Sequence, residues 1–523
     1  METSPPAWVR DAIAYQIFPD RFARSPRVHK PGPLEPWDAP ATVHGFKGGD
    51  LLGVVEHLDH LERLGITAIS LNPIFSSAAN HRYHTYDYER VDPLLGGDDA
   101  LRELVDAAHG RGMRVILDGV FNHASRGFWP FNHVMENGRS SPYVDWFHLN
   151  PEWLKEGRQL RAFDEHAHPA EIDSAWVREH APGTASLETL GYRAWWDLPA
   201  LPKLNTDNPE VREYLYGIAE HWIALGADGW RLDVAEEITT PGFWEEFRRR
   251  VRAVNPEAYI LAEIWEQRPE LLDGRTYDAL MNYPFLYAVV GYAAGEHLDR
   301  RVVDQHGTLG RRTKMLDGEQ LARQLEHLVA AYRRETTEAM LNLVDGHDTP
   351  RLRTMTGGDR AAVRLATLVQ MTFPGAPCIY YGTEVGLEGE MDPACRGGFP
   401  WREDAWDADL LAYVRAASAL RHATPVLRRG SFRIAGAAGP ALAYLRHWTD
   451  EPMADRGGPE AVLVALNNAE TPARLTVEVP ELAGRTLRGA GPATAGGGEI
   501  SVEGGGAAVV ELPARSGRVL VPA

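Results

Sequence analysis

Cysteine is almost missing from this chain, with two in 523 residues: Cys378 in an apolar run and Cys395 in a polar loop. That excludes a disulfide framework and a thiolate metal site, and both are expected to be reduced thiols. Long apolar runs are missing too, so no segment approaches the roughly 20 residues of a membrane span. Residues 1–6 lack the basic and apolar regions of a secretory signal, which makes a cytoplasmic location the default expectation. Positive charge is in deficit, with 54 Lys and Arg against 73 Asp and Glu and a net charge of −19. Nucleic acid is therefore an unsuitable partner, and neutral or cationic ligands remain. What is present, 44% hydrophobic and 24% charged residues, is the composition of a globular protein. The length implies a large barrel with insertions and a further terminal domain.

Strand-like runs at 12–18, 66–71, 113–117, 229–233, 258–263, 277–281, 340–344 and 378–381 alternate with helical patterns at 51–64, 100–111, 209–225, 241–254, 319–332 and 359–372. Alternation implies a parallel sheet, and eight strands close a (β/α)₈ TIM barrel, expected over 1–122 and 206–425. Pro26, Pro31, Pro33, Pro36 and Pro40 mark a long loop after the first strand. The rhythm stops over 123–205, an aromatic insertion after the third strand with six of the fifteen tryptophans, Trp129, Trp146, Trp153, Trp176, Trp195 and Trp196. From about Gly430 short β-like runs such as 461–466 alternate with glycine-rich turns, so 426–523 is expected to be a C-terminal all-β sandwich.

In the stretch Gly229-Trp230-Arg231-Leu232-Asp233-Val234-Ala235-Glu236-Glu237, a cation stands two residues before a carboxylate. Strand side chains alternate, so Arg231 and Asp233 share a face. Alone this reads as a structural ion pair; equally, the arginine favours an ionised Asp233, which a nucleophile requires. Barrel chemistry sits at the carboxyl ends of the strands. Those ends carry Asp118, Asn122 and His123 after the third strand, Arg231 and Asp233 on the fourth, Glu263 on the fifth, and His347 and Asp348 after the seventh. Singly each has a structural reading, as a helix cap or a satisfied polar residue. Carboxylates converging on one mouth with an arginine and two histidines point to catalysis.

Four strings resemble, in order, the signature regions of the α-amylase family of glycoside hydrolases (family 13): Asp118-Gly119-Val120-Phe121-Asn122-His123, the stretch from Gly229 to Glu237, Ala262-Glu263-Ile264-Trp265, and Leu343-Val344-Asp345-Gly346-His347-Asp348-Thr349-Pro350-Arg351. Leu201-Pro202-Lys203-Leu204-Asn205 is similar to the extra motif of the neopullulanase, cyclomaltodextrinase and maltogenic amylase branch. The resemblance implies retaining cleavage of an α-glucosidic bond in soluble α-glucans such as maltooligosaccharides, cyclodextrins or pullulan, with some glycosyl transfer. A transferase or isomerase acting on trehalose, sucrose or maltose uses the same residues and is the alternative. Retention of the three family carboxylates weighs against a non-catalytic interaction protein. The resemblance implies Asp233 as nucleophile, Glu263 as proton donor and Asp348 as the carboxylate that holds substrate hydroxyls. Tyr83 matches the tyrosine that stacks on the sugar, and His123 and His347 match hydroxyl-binding histidines. Asp118, Arg231, Glu236, Glu237, Trp265 and Arg351 complete the expected substrate-binding set.

Departures from the family pattern also matter. Glu236-Glu237 stands where the branch commonly has Asn-Glu, and His84 where it often has aspartate. The loop Ala23-Arg24-Ser25-Pro26-Arg27 lacks the oxygen ligands of the calcium loop in relatives, although Gly49-Asp50 remains. No cofactor is expected there; Asn122, which matches a position near a different calcium, leaves that ion open. The barrel begins about a dozen residues after Met1, so the branch's amino-terminal carbohydrate-binding domain is expected to be missing. Neither dimerisation nor a preference for cyclodextrins therefore carries over.

Overall fold

Short apolar runs buried on both faces suit a parallel sheet with helices packed outside it, and that preference organises most of this chain. The computed structural model describes residues 4–163, 186–449, 457–492 and 498–523. Its strands in chain order begin β1 Ala14–Ile17, β2 Ala68–Leu71, β3 Phe75–Ser77, β4 Thr85–Val91, β5 Arg114–Gly119, β6 Gly229–Leu232, β7 Tyr259–Ala262, β8 Ala279–Leu280, β9 Leu341–Asn342 and β10 Ala376–Tyr380. Eight of them form one parallel sheet in the order β8-β7-β6-β5-β2-β1-β10-β9. A parallel bridge between Met281 and Leu341 joins its two ends, so the sheet closes into a TIM barrel. All eight expected barrel strands are present.

Helices form where apolar residues recur on one face and an acceptor side chain caps the start. Helix Gly97–His109 buries Leu101, Leu104, Val105 and Ala108 against β5 and its neighbours. Asn208, Asp317 and Asp359 accept hydrogen bonds from the first turns of Pro209–Ala224, Gly318–Ala330 and Arg360–Thr372. The helix expected over 51–64 is two, Leu51–Glu56 and Leu58–Leu64. The break falls at His57, whose ring Nδ1 lies 2.8 Å from the Gly53 carbonyl and competes with the backbone ladder. Helix Tyr283–Ala294 has no polar face: all but one of its residues are buried, so it shows no amphipathic period and reads like an apolar strand. The β3–β4 hairpin, also unforeseen, follows β2 and carries residues 81–84 towards the barrel mouth.

Between β5 and helix Pro209–Ala224, isolated bridges pair His123 with Lys203, Phe147 with Leu204, Leu149 with Tyr192 and Ala194 with Pro202. Trp146 and Trp153 are buried among this insertion's own side chains, whereas Trp129 and Trp196 are exposed; Trp176 lies outside the described residues. After Gly430 come β11 Ser431–Ala438, β12 Ala441–His447, β13 Ala461–Asn467, β14 Ala473–Glu478, β15 Thr486–Gly489, β16 Ile500–Ser501, β17 Ala507–Leu512 and β18 Ser516–Pro522. Six make a mixed-order antiparallel sheet and β14 pairs with β17 in a second. Strand alternation gives the larger sheet two jobs. Leu445, Leu463 and Leu520 face Leu475, Val477 and Val510 of the smaller sheet, while Tyr444, Val464 and Val519 join the barrel core. Both cysteines are buried free thiols.

Candidate active site

β6 and β7 each stop one residue short of a carboxylate, Asp233 and Glu263, yet the ladder continues far enough to fix the backbone there. Asp233 N donates to Gly119 O at 3.0 Å and Glu263 N to Leu232 O at 2.9 Å. Val234, immediately after Asp233, sits at φ 38° and ψ 47°, a left-handed conformation that is strained for a β-branched residue. The consequence is local: its N–H donates to Glu263 Oε2 at 3.0 Å, linking the ends of β6 and β7.

Arg231 is the hub. Its Nη1 lies 2.9 Å from Asp118 Oδ1 and 2.8 Å from Asp233 Oδ1, and its Nη2 lies 2.9 Å from Glu263 Oε2. All four side chains are buried, so these are desolvated charges. The other oxygen of Glu263, Oε1, accepts from Trp265 Nε1 at 3.1 Å. Around Asp118 the Tyr83 hydroxyl donates to Oδ2 at 2.8 Å and accepts from Asn72 Nδ2 at 3.0 Å. The Tyr83 and His347 rings stack at 5.5 Å with planes 5° apart. His347 Nε2 faces the Tyr83 hydroxyl at 2.7 Å and Asp348 Oδ2 at 2.9 Å. Gln16 Nε2 lies 3.2 Å from His347 Nδ1, which leaves Nε2 as the ring's N–H. Asp348 is held from behind by Arg396, whose Nη2 is 3.2 Å from Oδ1 and whose Nε donates to His347 O at 2.9 Å. Gln16, Asn72 and Arg396 were not singled out in the sequence. Arg396 comes from a loop after β10, and no local pattern marks it.

The electrostatics depart from one expectation. Burial raises Asp233 well above the ordinary carboxylate range, and repulsion from Glu263 and Asp118 adds to this against the pull of Arg231. Burial raises Asp118 too, although Arg231 opposes it. One guanidinium among three buried carboxylates is too little positive charge, so the cluster favours retaining a proton that belongs to the group as a whole. Asp348 goes the other way: burial pushes it up, but His347 and Arg396 outweigh that and hold it below the usual range. His123 is buried and pushed down to about 3, and so stays neutral.

The remaining candidates ring this core. His123 stacks on Trp195 at 4.9 Å, and Trp195 on Trp196 at 4.5 Å, so a ladder of rings runs from the buried imidazole to solvent. Glu236 and Glu237 lie on the half-exposed turn after Val234, pairing with Arg268 at 3.2 Å and Lys203 at 3.1 Å. Arg351 is not brought to the carboxylates. Its Nε donates to Cys395 O at 2.8 Å, its Nη1 to Tyr381 O, and its guanidinium lies over the Tyr380 ring.

In the loop after Phe22, oxygens that a cation would need are taken by lysines. Lys47 Nζ donates to Pro36 O at 2.9 Å and Ala39 O at 2.6 Å, and Lys30 Nζ to Asp50 Oδ2 at 3.0 Å and Leu94 O at 2.6 Å. The residues present therefore do not fit calcium there. Near His123, the buried Asn122 Oδ1 has no hydrogen-bond partner. Among the described residues no group of three or more His, Cys, Asp or Glu side chains is arranged to hold a metal.

Residues 16–419 match the catalytic domain of the α-amylase family. The chain belongs to that family. It is thus an α-amylase-family glycoside hydrolase. It is 42% identical to a Bacillus cyclomaltodextrinase, over 89% of this chain and 74% of that protein. With neopullulanase 2 of Thermoactinomyces vulgaris the identity is 37%, over 92% of this chain and 73% of the relative. Among solved structures, a debranching enzyme from Nostoc punctiforme is 42% identical with a TM-score of 0.83, covering 100% of both chains. A cyclic α-maltosyl-(1→6)-maltose hydrolase from Arthrobacter globiformis is 32% identical with a TM-score of 0.79, covering 99% of this chain and 100% of that one. No helix among the described residues is long and apolar enough to cross a membrane.

Proposed function

We propose that this enzyme hydrolyses α-glucosidic bonds in soluble α-glucans by double displacement. The observation that carries the proposal is the sharing of Arg231 by Asp233 and Glu263 at the barrel mouth. One guanidinium draws the pair together, in keeping with the close spacing of about 5 Å that a covalent route uses rather than the wider gap left for a direct water attack. Asp233 attacks the anomeric carbon as the bond to the leaving oxygen breaks, and Glu263 gives that oxygen its proton. Water then attacks the same carbon, its proton passes to Glu263, and the bond to Asp233 breaks. The proton retained by the buried carboxylate cluster is the one this first step needs. When Asp233 is the ionised member, Arg231 stabilises it as nucleophile and orients it.

Asp348, kept charged by His347 and Arg396, binds sugar hydroxyls and favours the cationic transition state. His123, held neutral by burial, and His347 hold hydroxyls by hydrogen bonds, Tyr83 offers its ring to the sugar, and Asp118 fixes Tyr83 and Arg231. Trp265, Glu236 and Glu237 border the leaving-group side. The loop after Phe22 works without calcium, because Lys30 and Lys47 supply the positive charge there. An intracellular location is proposed on the likeness to an intracellular maltogenic amylase of Bacillus subtilis, 37% identical over 80% of this chain.

Maltotriose, γ-cyclodextrin, pullulan, trehalose and sucrose, each incubated with the protein and resolved for products, test this reading. Glucose and maltose from the first three support hydrolysis. New oligosaccharides at constant reducing-end count, or products only from trehalose or sucrose, replace it with a transferase or isomerase. No product from any of the five refutes it.

A further inference from the structure

Trp265 is held more firmly than a flexible subsite residue would be. Its indole is 3.9 Å from the Tyr283 ring with planes 11° apart, and 4.7 Å from the His306 ring with planes 5° apart. Two parallel rings that close to one indole have to take opposite faces, so Trp265 is the middle of a three-ring stack. The Tyr287 hydroxyl donates to the Trp265 carbonyl at 3.2 Å, one helical turn from Tyr283. The only polar atom of the indole donates to Glu263 Oε1 at 3.1 Å.

Both tyrosines belong to the buried helix Tyr283–Ala294, which continues the barrel. His306 does not: it lies between the short helices Arg300–Val303 and Gly307–Arg312, and its Nδ1 accepts from Leu309 N at 3.2 Å. The ring is therefore fixed on its far edge by a capping bond while its face closes the stack. Oε2 of Glu263 already accepts from Val234 N and faces Arg231, so Oε1 is the oxygen left to present a proton to a leaving group. Trp265 sets the direction of that oxygen.

We propose that His306 is a positioning residue for the proton donor, acting through the Tyr283–Trp265–His306 stack that aims Glu263 Oε1. This rests on the hydrolase reading above. Without the ring, Trp265 gains room to tilt on its open face and its N–H no longer holds Oε1. Proton delivery suffers, while substrate binding and attack by Asp233 are spared.

His306→Asn keeps an acceptor for Leu309 N but removes the ring, whereas His306→Phe keeps a ring and removes the acceptor. Each is compared with the native chain on maltotriose, whose sugar leaving group needs a proton, and on 4-nitrophenyl α-maltoside, whose nitrophenolate leaves without one. Positioned general acids contribute about 10²- to 10⁴-fold, and misaiming one is expected to forfeit part of that. His306→Asn should lower kcat/KM on maltotriose about tenfold, and change kcat/KM on the aryl maltoside, which reports adduct formation and not its hydrolysis by the Glu263 base, less than about twofold. His306→Phe should stay within about twofold of native on both. Equal losses on both substrates, no loss on either, or a Phe variant as impaired as Asn would overturn the proposal. A native chain inert on both substrates would instead remove the hydrolase reading itself.

Discussion

Replacing Arg231 by methionine strips the shared cation from Asp118, Asp233 and Glu263 while leaving a side chain of similar length. The separations are 2.9, 2.8 and 2.9 Å. At an effective dielectric near 20, one contact at about 4 Å is worth about 4 kcal/mol, so three amount to roughly 12 kcal/mol of gross attraction. Little of that appears as lost stability, because carboxylates deprived of a cation take up protons. The net cost of breaking a buried pair is about 3–5 kcal/mol. Sign follows from the direction of the shift. Without Arg231 the folded carboxylates sit higher still than Asp233 already does. The folded state then binds protons that the unfolded chain, titrating near 4, releases. The deficit is therefore largest near neutral pH and shrinks as pH falls towards 5. Urea unfolding of both proteins at about pH 5, 6 and 7.5 reads this directly, and kcat/KM on maltotriose should fall at least about 10³-fold because no ionised nucleophile remains. A deficit independent of pH, or activity within tenfold of native, would refute the reasoning.

Three more outcomes are expected. A chelator should leave the melting temperature unchanged, whereas Lys47→Met, which orphans two carbonyls, should cost about 2–4 kcal/mol; a chelator-induced drop of many degrees would show a bound cation. His123 is held down to about 3, so the unfolded chain takes a proton there before the folded one does as pH falls below about 6.5. His123→Asn should therefore lose about 2 kcal/mol less stability than native between pH 6.5 and 5, and an identical loss would contradict the neutral assignment. Glu236→Asn should leave kcat/KM on maltotriose within about threefold but change the ratio of pullulan to γ-cyclodextrin cleavage, since Glu236 lies on the leaving-group side; an unaltered ratio would remove it from specificity.

What the chain disclosed before folding depended on whether a residue's meaning was local. Each barrel strand announces itself as a short apolar run, and Asp118, Asp233, Glu263 and Asp348 follow because strand ends face the mouth. Gln16 and Asn72 look like ordinary strand polars until the barrel sets them beside His347 and Tyr83. Arg396 acts on Asp348 from another loop, and the left-handed Val234 has no sequence mark, since valine is the residue least suited to it. Arg351 shows the converse. Three residues from Asp348 in sequence, it turns away to fix the Cys395 and Tyr381 carbonyls. Helix Tyr283–Ala294, buried all round, has no period to read, and it carries two of the side chains that hold Trp265.

The central claim is that Asp233 forms a bond to the sugar. Glu263→Gln incubated with α-maltosyl fluoride, whose fluoride departs without a proton, should release fluoride but hydrolyse the adduct slowly for want of a base. Peptide mass mapping of the quenched protein is then expected to find one maltosyl unit on the peptide carrying Asp233. Fluoride release with the sugar on another carboxylate, or on none, would contradict the account.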